Sequence, residues 1–424
     1  MMKPATVALG VLIASVLATS GCGTGSGGGE ASSTLRVGCF GNDQRTQKVQ
    51  AAAKAFESAH AGITVQLECT GFASYFDKLA TQFAAQDAPD VVMLNDSFLG
   101  EYADRGALKE LGASIDVSKF SEPAAAEGKT AKGRFGVAAG LNTMTILANP
   151  DVLKAAGVEM PDDSTWTWQT YAETAAKVTA GSEKGVYGSD LSNFGPMLEL
   201  WLRQNGKSMY TNEGGLGYQT SDVTGFMEFL KGLGASKGIP PASVITEQHK
   251  ALEQSGLATN KSAFGWFFSS AVGAVTKASG ADLTVLRPPS TTGSSAEAAL
   301  FFKPDSLWTI NARAENPTMA QKFVDFMVNN PEAAKVTLTS LGVPANSQVR
   351  EAIAAGVSPA DKKALDFAEK ITPDLGGQRP AIPAGGGKLD STLQRHAMDV
   401  LFGSLTPQEA AGKLTTDMAS AIKE

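Results

Sequence analysis

The stretch Pro89–Leu111, PDVVMLNDSFLGEYADRGALKEL, constrains this chain more than any other. Val91, Val92, Met93 and Leu94 form a short unbroken apolar run, which suits a strand covered on both faces, as in a parallel sheet. The run stops at polar Asn95, Asp96 and Ser97. Leu99, Tyr102 and Ala103 then fall on one side of a helix that Gly106 ends. In open α/β sheets, ligands bind just past the carboxyl ends of the strands. Asn95, Asp96 and Ser97 occupy that place, so the stretch supplies a fold class and a candidate site together. A plainer role for Asp96 is to cap the helix, and the two roles are compatible.

The same rhythm extends on both sides. Leu35–Phe40 predicts a strand, Gly41–Gln44 a turn, and Thr46–Ala61 a helix with Val49, Ala52, Ala53 and Phe56 on one face. Ile63–Cys69 alternates as the next strand, and Tyr75–Ala85 presents Phe76, Leu79, Ala80 and Phe83 along a helix. Strands alternating with helices of a dozen or so residues predict a parallel α/β sheet. Further on, Phe135–Ala139 and Thr143–Ala148 read as extended segments split by Gly140. Pro150–Gly157 reads as a short helix. Another helix follows Thr165-Trp166-Thr167, with Ser164, Thr165 and Thr167 as candidate caps. Gly195–Gln204 and Asp222–Leu233 read as helices; Ser262–Phe268, Leu283–Leu286 and Ser306–Ile310 read as strands.

Composition narrows the function classes. The 424 residues suffice for two or three domains, and 43% hydrophobic content permits a large core. A net charge of −7 argues against a nucleic-acid partner, because a phosphate-binding face needs a basic excess. The three Cys and three His lack metal-ligand spacing, so neither a metal nor any other cofactor is expected. At the N-terminus, Lys3 precedes the apolar run Val7–Leu17, which is too short for a membrane span and reads as a signal-peptide core. Thr19-Ser20-Gly21-Cys22 resembles a bacterial lipoprotein signal, with Thr19 where a Leu-like residue is usual. The other reading is a secretory signal cut nearby, with Cys22 incidental. On the first reading Cys22 carries lipid and residues 23–33, rich in Gly and Ser, form a flexible tether. Gly23, Gly25 and Gly28 have dinucleotide-fingerprint spacing but lack the strand before and helix after that the motif needs.

Several segments together carry a resemblance. They are Phe40-Gly41-Asn42, Tyr75–Leu79, Pro89-Asp90-Val91, Tyr102–Leu108, Asn149-Pro150-Asp151 with Ala155-Ala156-Gly157-Val158, and Pro161 before Thr165-Trp166. Ala320–Asn330 before Gly342-Val343-Pro344, and the late Leu405–Ala411, complete the series. In order and spacing the chain resembles family 1 extracellular solute-binding proteins, the maltose-binding-protein-like receptors of carbohydrate ABC importers. Lys132–Asn142 departs by lacking the Pro that the family often has before its first hinge. The resemblance implies a type II periplasmic-binding-protein fold, with lobe 1 at 34–140 and 307–345 and lobe 2 at 141–306 and 346–424. It implies a monomeric lipoprotein, anchored to the cell membrane on its extracytoplasmic side. Such a protein captures a sugar or oligosaccharide without chemistry and delivers it to ABC permease subunits.

Sugar hydroxyls pair with carboxylates, amides and Arg, while sugar rings stack on aromatics. Asn42, Asp43 and Gln44 follow the first strand and are candidates, with ordinary turn chemistry as the alternative. Asn95, Asp96 and Ser97 follow the third, and family analogy favours Asp96. Trp266 resembles the aromatic lining the far wall in sugar receptors; the alternative is a core Trp. Asn193 and Phe194 precede a helix and are candidates for lining the second lobe, with a purely structural role at the helix start as the favoured alternative. Trp308 lies on the presumed return crossover, where core and cleft are both open. Gly385, Gly386 and Gly387 allow close backbone approach to a ligand, or form a loose loop. Trp166, Trp168 and Trp201 are assigned to packing. Cys39 and Cys69 end neighbouring strands in an oxidising compartment, and a bridge or two free thiols are both open.

Two other function classes compete. A secreted hydrolase is one, and Gly234-Ala235-Ser236-Lys237-Gly238 matches G-x-S-x-G. The motif ends a predicted helix, whereas a nucleophile elbow joins a strand to a helix. His60, His249 and His396 have no evident nucleophile partner, and the carboxylate pair of a glycosidase is defined in space rather than in sequence. A receptor for a non-sugar solute is the other; iron capture would favour clustered Tyr and His, of which the chain has six and three.

Overall fold

The computed structural model describes residues 33–248 and 251–422. The N-terminal signal, Cys22, the tether through residue 32 and His249 lie outside the described residues. The strands are β1 (Thr34–Phe40), β2 (Thr64–Thr70), β3 (Val91–Leu94), the short β4 (Lys129–Thr130) and β5 (Gly133–Arg134), β6 (Gly136–Asn142), β7 (Met144–Ala148), β8 (Tyr187–Ser189), β9 (Ser262–Phe268), β10 (Thr284–Leu286) and β11 (Lys303–Ile310).

The first large sheet has the order β2-β1-β3-β11-β6 and the second the order β10-β7-β9-β8. All four residues of β3 are buried, as an apolar run covered on both faces requires. The first sheet is mixed rather than purely parallel. β1 runs parallel to β2 and β3, whereas β11 runs antiparallel between β3 and β6, with Leu307 opposite Leu94. Geometry explains the reversal: β11 arrives from the second sheet at the carboxyl end of β3 and runs back down. In the second sheet, β7 is antiparallel to β9 and β10, and β8 is parallel to β9.

The chain changes sheet at Thr143, between β6 and β7, rather than at Gly140. Gly140 lies inside β6, where a Cβ would stand 2.1 Å from the Leu341 carbonyl oxygen. Helices 389–402 and 407–421 pack with each other and against helix 220–235, so the C-terminal residues join the second sheet's side. Local chemistry sets the helix starts. Asn42 caps helix Asp43–Ala59, its side chain accepting from the Arg45 N–H at 2.9 Å, and Thr167 caps helix Trp168–Gly181 in a reciprocal pair with Thr170. Ser236 closes helix Thr220–Ala235, so the G-x-S-x-G match is a helix end with no strand before it. Cys39 and Cys69 face each other across β1 and β2, with Cα atoms 4.5 Å apart, and form a disulfide.

Candidate ligand cleft

A cavity of about 530 Å³ lies where the carboxyl ends of β8 and β9, the first residue of β11 and the start of helix Asp96–Asp104 converge. Ser97 contributes from the first sheet's side. Asn193, Phe194, Glu199, Arg203, Tyr210, Phe268 and Asp390 contribute from elements on the second. This is the place that strand-end binding predicts.

Two local devices shape it. Asn193 adopts a left-handed φ of 58°, a region that Asn tolerates better than most residues. Its Nδ2 donates to the Trp266 carbonyl at 2.9 Å, and the Ser192 hydroxyl donates to the same oxygen. The pair ties the first turn of helix Phe194–Gln204 to β9. The second device is the glycine run near the C-terminus. Gly385 takes φ 76°, and the Gly386 carbonyl accepts from the Tyr210 hydroxyl at 2.8 Å. A Cβ at Gly387 would lie 3.2 Å from Ser97 Cβ, so this backbone comes up against the helix that follows β3.

A cluster of ions sits beside the cavity. Lys303 Nζ lies 2.6 Å from Asp96 Oδ1. Arg379 reaches three carboxylates: Glu199 at 3.4 Å, Asp96 at 3.5 Å and Glu127 at 3.6 Å. Its guanidinium also lies 4.9 Å from the centroid of the Phe301 ring, and that of Arg203 lies 5.4 Å from it. Burial alone would push the Asp96 carboxyl up, but Lys303 and Arg379 outweigh it and hold Asp96 below the usual carboxylate range. Glu127 goes the other way. Burial raises it to about 7; the attraction of Arg379 and Lys303 is largely cancelled by the repulsion of Asp96 and Glu199, and burial prevails. Asp96 and Glu127 come from elements on the first sheet and Glu199 from a helix of the second lobe. The cluster therefore links both sides of the cleft.

The residues singled out in the sequence divide cleanly. Ser97, Asn193 and Phe194 line the cavity. Asn95, rather than Asp96, caps its helix, accepting from the Ser97 N–H at 3.1 Å. Asp96 is held by its ion pairs and faces a recess of about 40 Å³ next to the cavity. Asn42 is spent on its cap, and Asp43 and Gln44 are exposed in that first turn; none of the three lines the cavity. Trp266 is 0% exposed, and so offers no face to a ligand here. Its Nε1 donates to the Tyr171 hydroxyl at 2.8 Å, and its ring stacks on Trp168 with centroids 5.4 Å apart. Trp308 is likewise 0% exposed and meets Phe323 edge-on. Glu199, Arg203, Tyr210, Lys303, Arg379 and Asp390 were not singled out, being scattered along the chain. One signal pointed to Arg379: it sits in an irregular Gly- and Pro-rich stretch, residues 376–385, and long irregular segments often carry function.

Comparison with known proteins places this architecture. Residues 42–334 match the family described as bacterial extracellular solute-binding protein. The extracellular solute-binding protein family 1 structure from Alicyclobacillus acidocaldarius is similar at 25% identity and TM-score 0.74, covering 92% of this chain and 98% of that one. The GacH receptor of Streptomyces glaucescens, solved unliganded and with acarbose, shares the fold at TM-score 0.74 and 20% identity, over 92% of this chain and 98% of that one. An uncharacterized lipoprotein of Streptomyces antibioticus is 27% identical over 135 residues, 31% of this chain, and the match spans only 30% of that relative's length. With two α/β lobes flanking a cavity at their strand ends, and the family matched over most of its length, the chain belongs to the bacterial extracellular solute-binding proteins.

Proposed function

We propose that the chain is the substrate-binding receptor of an ABC importer, capturing a sugar or oligosaccharide between its lobes and handing it to membrane permease subunits. The observation that carries this reading is the strand-end cavity, where Ser97, Asn193 and Ser270 stand beside Phe194 and Phe268. Hydroxyl-bonding groups next to aromatic rings suit a saccharide, and about 530 Å³ falls within the range of small-molecule sites. The likeness to a receptor solved with acarbose supports the same reading. The lobes are then 34–140 with 307–345, and 141–306 with 346–424, give or take the few residues around Thr143 and Lys303. Ligand touching both lobes favours the closed form, because only that form makes both sets of contacts. Cys22 carries lipid and the following Gly-rich residues tether a monomer outside the membrane, in keeping with a lipoprotein relative.

Calorimetry against a panel of mono- and oligosaccharides tests the assignment, with Ser97→Ala and Asn193→Gly as site variants. The glycine keeps the left-handed backbone while removing the amide. Each lost hydrogen bond should weaken binding up to about tenfold. A panel in which nothing binds removes the sugar assignment. A cognate sugar that leaves the small-angle scattering profile unchanged removes closure. Cys22→Ala should release the protein from the membrane to the medium, and retention of that variant would overturn the anchor.

A further inference from the structure

The charged groups around the cavity are unequally committed. Arg203 donates to the carbonyls of Ala299 and Gly377 at 3.0 and 2.7 Å. Lys303 is paired with Asp96, and Arg379 is divided among Asp96, Glu127 and Glu199. Every cation that lines the cavity among the described residues therefore already has an acceptor.

Asp390 is the opposite case. It lines the cavity and is exposed, and its side chain makes no hydrogen bond or ion pair among the described residues. Gly195 makes room for it: a Cβ at that position would stand 1.8 Å from Asp390 Oδ1. The carboxylate thus lies against the first turn of helix Phe194–Gln204, and it also sits in the first turn of its own helix, Leu389–Phe402. Two positive helix ends favour its ionised form. Burial nonetheless raises the carboxyl above its ordinary range, with Lys303 opposing the rise and Asp96 and Glu199 adding to it. A second acid, Asp190, also lines the cavity; it is 2% exposed and its Oδ1 has no hydrogen-bond partner. Burial raises Glu127 and Asp190 to about 7, so near pH 6 the acids that face Arg203, Lys303 and Arg379 across the cavity and its recess are Asp96, Glu199 and Asp390, and of these three only Asp390 has no ion pair. An anionic ligand would find no uncommitted cation. A cationic one would find Asp390.

We propose that the solute is a saccharide bearing a protonated amine, with its ammonium seated on Asp390. This rests on the receptor reading above and narrows its substrate class.

Calorimetry on the intact protein tests it with three probe series of matched ring number: glucosamine oligomers, N-acetylglucosamine oligomers and galacturonate oligomers. The titrations are run at about pH 6, below the pKa of the amines. The glucosamine series should bind at least about tenfold more tightly than the acetylated one, the scale of one charge-assisted hydrogen bond. In Asp390→Asn that ratio should fall to about one, and in Asp390→Glu it should persist. Thermal unfolding of Asp390→Asn should match or exceed wild type, because the change removes an unpaired charge and breaks no bond. If acetylated or galacturonate oligomers bind wild type as well as glucosamine oligomers do, the amine inference fails while the receptor reading stands. The same follows if Asp390→Asn keeps the preference. Binding of none of the three series overturns both.

Discussion

The side chain of Trp266 has a hydrogen-bond partner in Tyr171 and a stacking partner in Trp168, both inside the second lobe. Trp266→Phe keeps a ring but empties volume and removes the donor to the Tyr171 hydroxyl. It should cost about 2–3 kcal/mol of stability in urea denaturation, with sugar affinity changed less than about twofold. A large loss of affinity with stability intact would restore the indole to the cleft wall. The sequence made the strand legible but not its faces. In Ser262–Phe268 nearly every residue is apolar, so no alternation marks which side meets the ligand. The next two residues, Phe267 and Phe268, reach the cavity instead. The same one-residue ambiguity runs through Asn95, Asp96 and Ser97, where cap, ion pair and cavity wall are adjacent positions. Sequence located the loop, but assigning those three roles needed Lys303 and Arg379, which arrive from more than two hundred residues away.

Elements built from local signals were read well. The β3 run, the cap at Thr167 and the amphipathic helix Thr220–Ala235 all follow from residues close in sequence, whereas Asn42, expected in a turn before Thr46, caps a helix that starts at Asp43. The antiparallel course of β11 did not, since strand direction depends on where the chain re-enters the sheet. Pairing of β1 with β2 sets Cys39 opposite Cys69 with a sequence separation of 30, and closing a loop of that size should stabilise the fold by about 3 kcal/mol. Cys39→Ala, or reduction of the wild type, should lower the unfolding free energy by about that much. Alkylation of the denatured, unreduced protein should leave both thiols unmodified, and labelling at these two positions would overturn the bridge.

Across the whole molecule, acid pairs and buried acids pull stability in opposite directions with pH. Burial raises the Glu127 and Asp190 carboxyls, each to about 7. The folded state then holds those protons more tightly than the unfolded chain does. Their contribution is full below the ordinary carboxyl range and is lost as pH rises through about 7. Glu68 is the reverse. Burial would raise it, but Lys78, Gln82 and Arg36 hold it at about 2, so its contribution is lost as pH falls through the acid range. Urea denaturation should therefore show greater stability near pH 5 than near pH 8, on the order of the shifts involved. Glu127→Gln should flatten that decline, and an unaltered slope in the variant would exclude Glu127 as its source.

β11 also dictates when the first lobe can be finished. Among the described residues, β6 pairs in the sheet only with β11, and Leu94 meets a partner, Leu307, made about 210 residues later. At a ribosome's pace of about 5–20 residues per second, β3 waits on the order of 10–40 s for its neighbour. Throughout that interval the amino-terminal third keeps an open strand edge and an incomplete core. For a chain whose first residues read as an export signal, lateness has a use: with the first sheet open until residue 310 of 424 has been made, the amino-terminal third stays unfinished, and a polypeptide that has not compacted is thin enough to thread through a translocation channel.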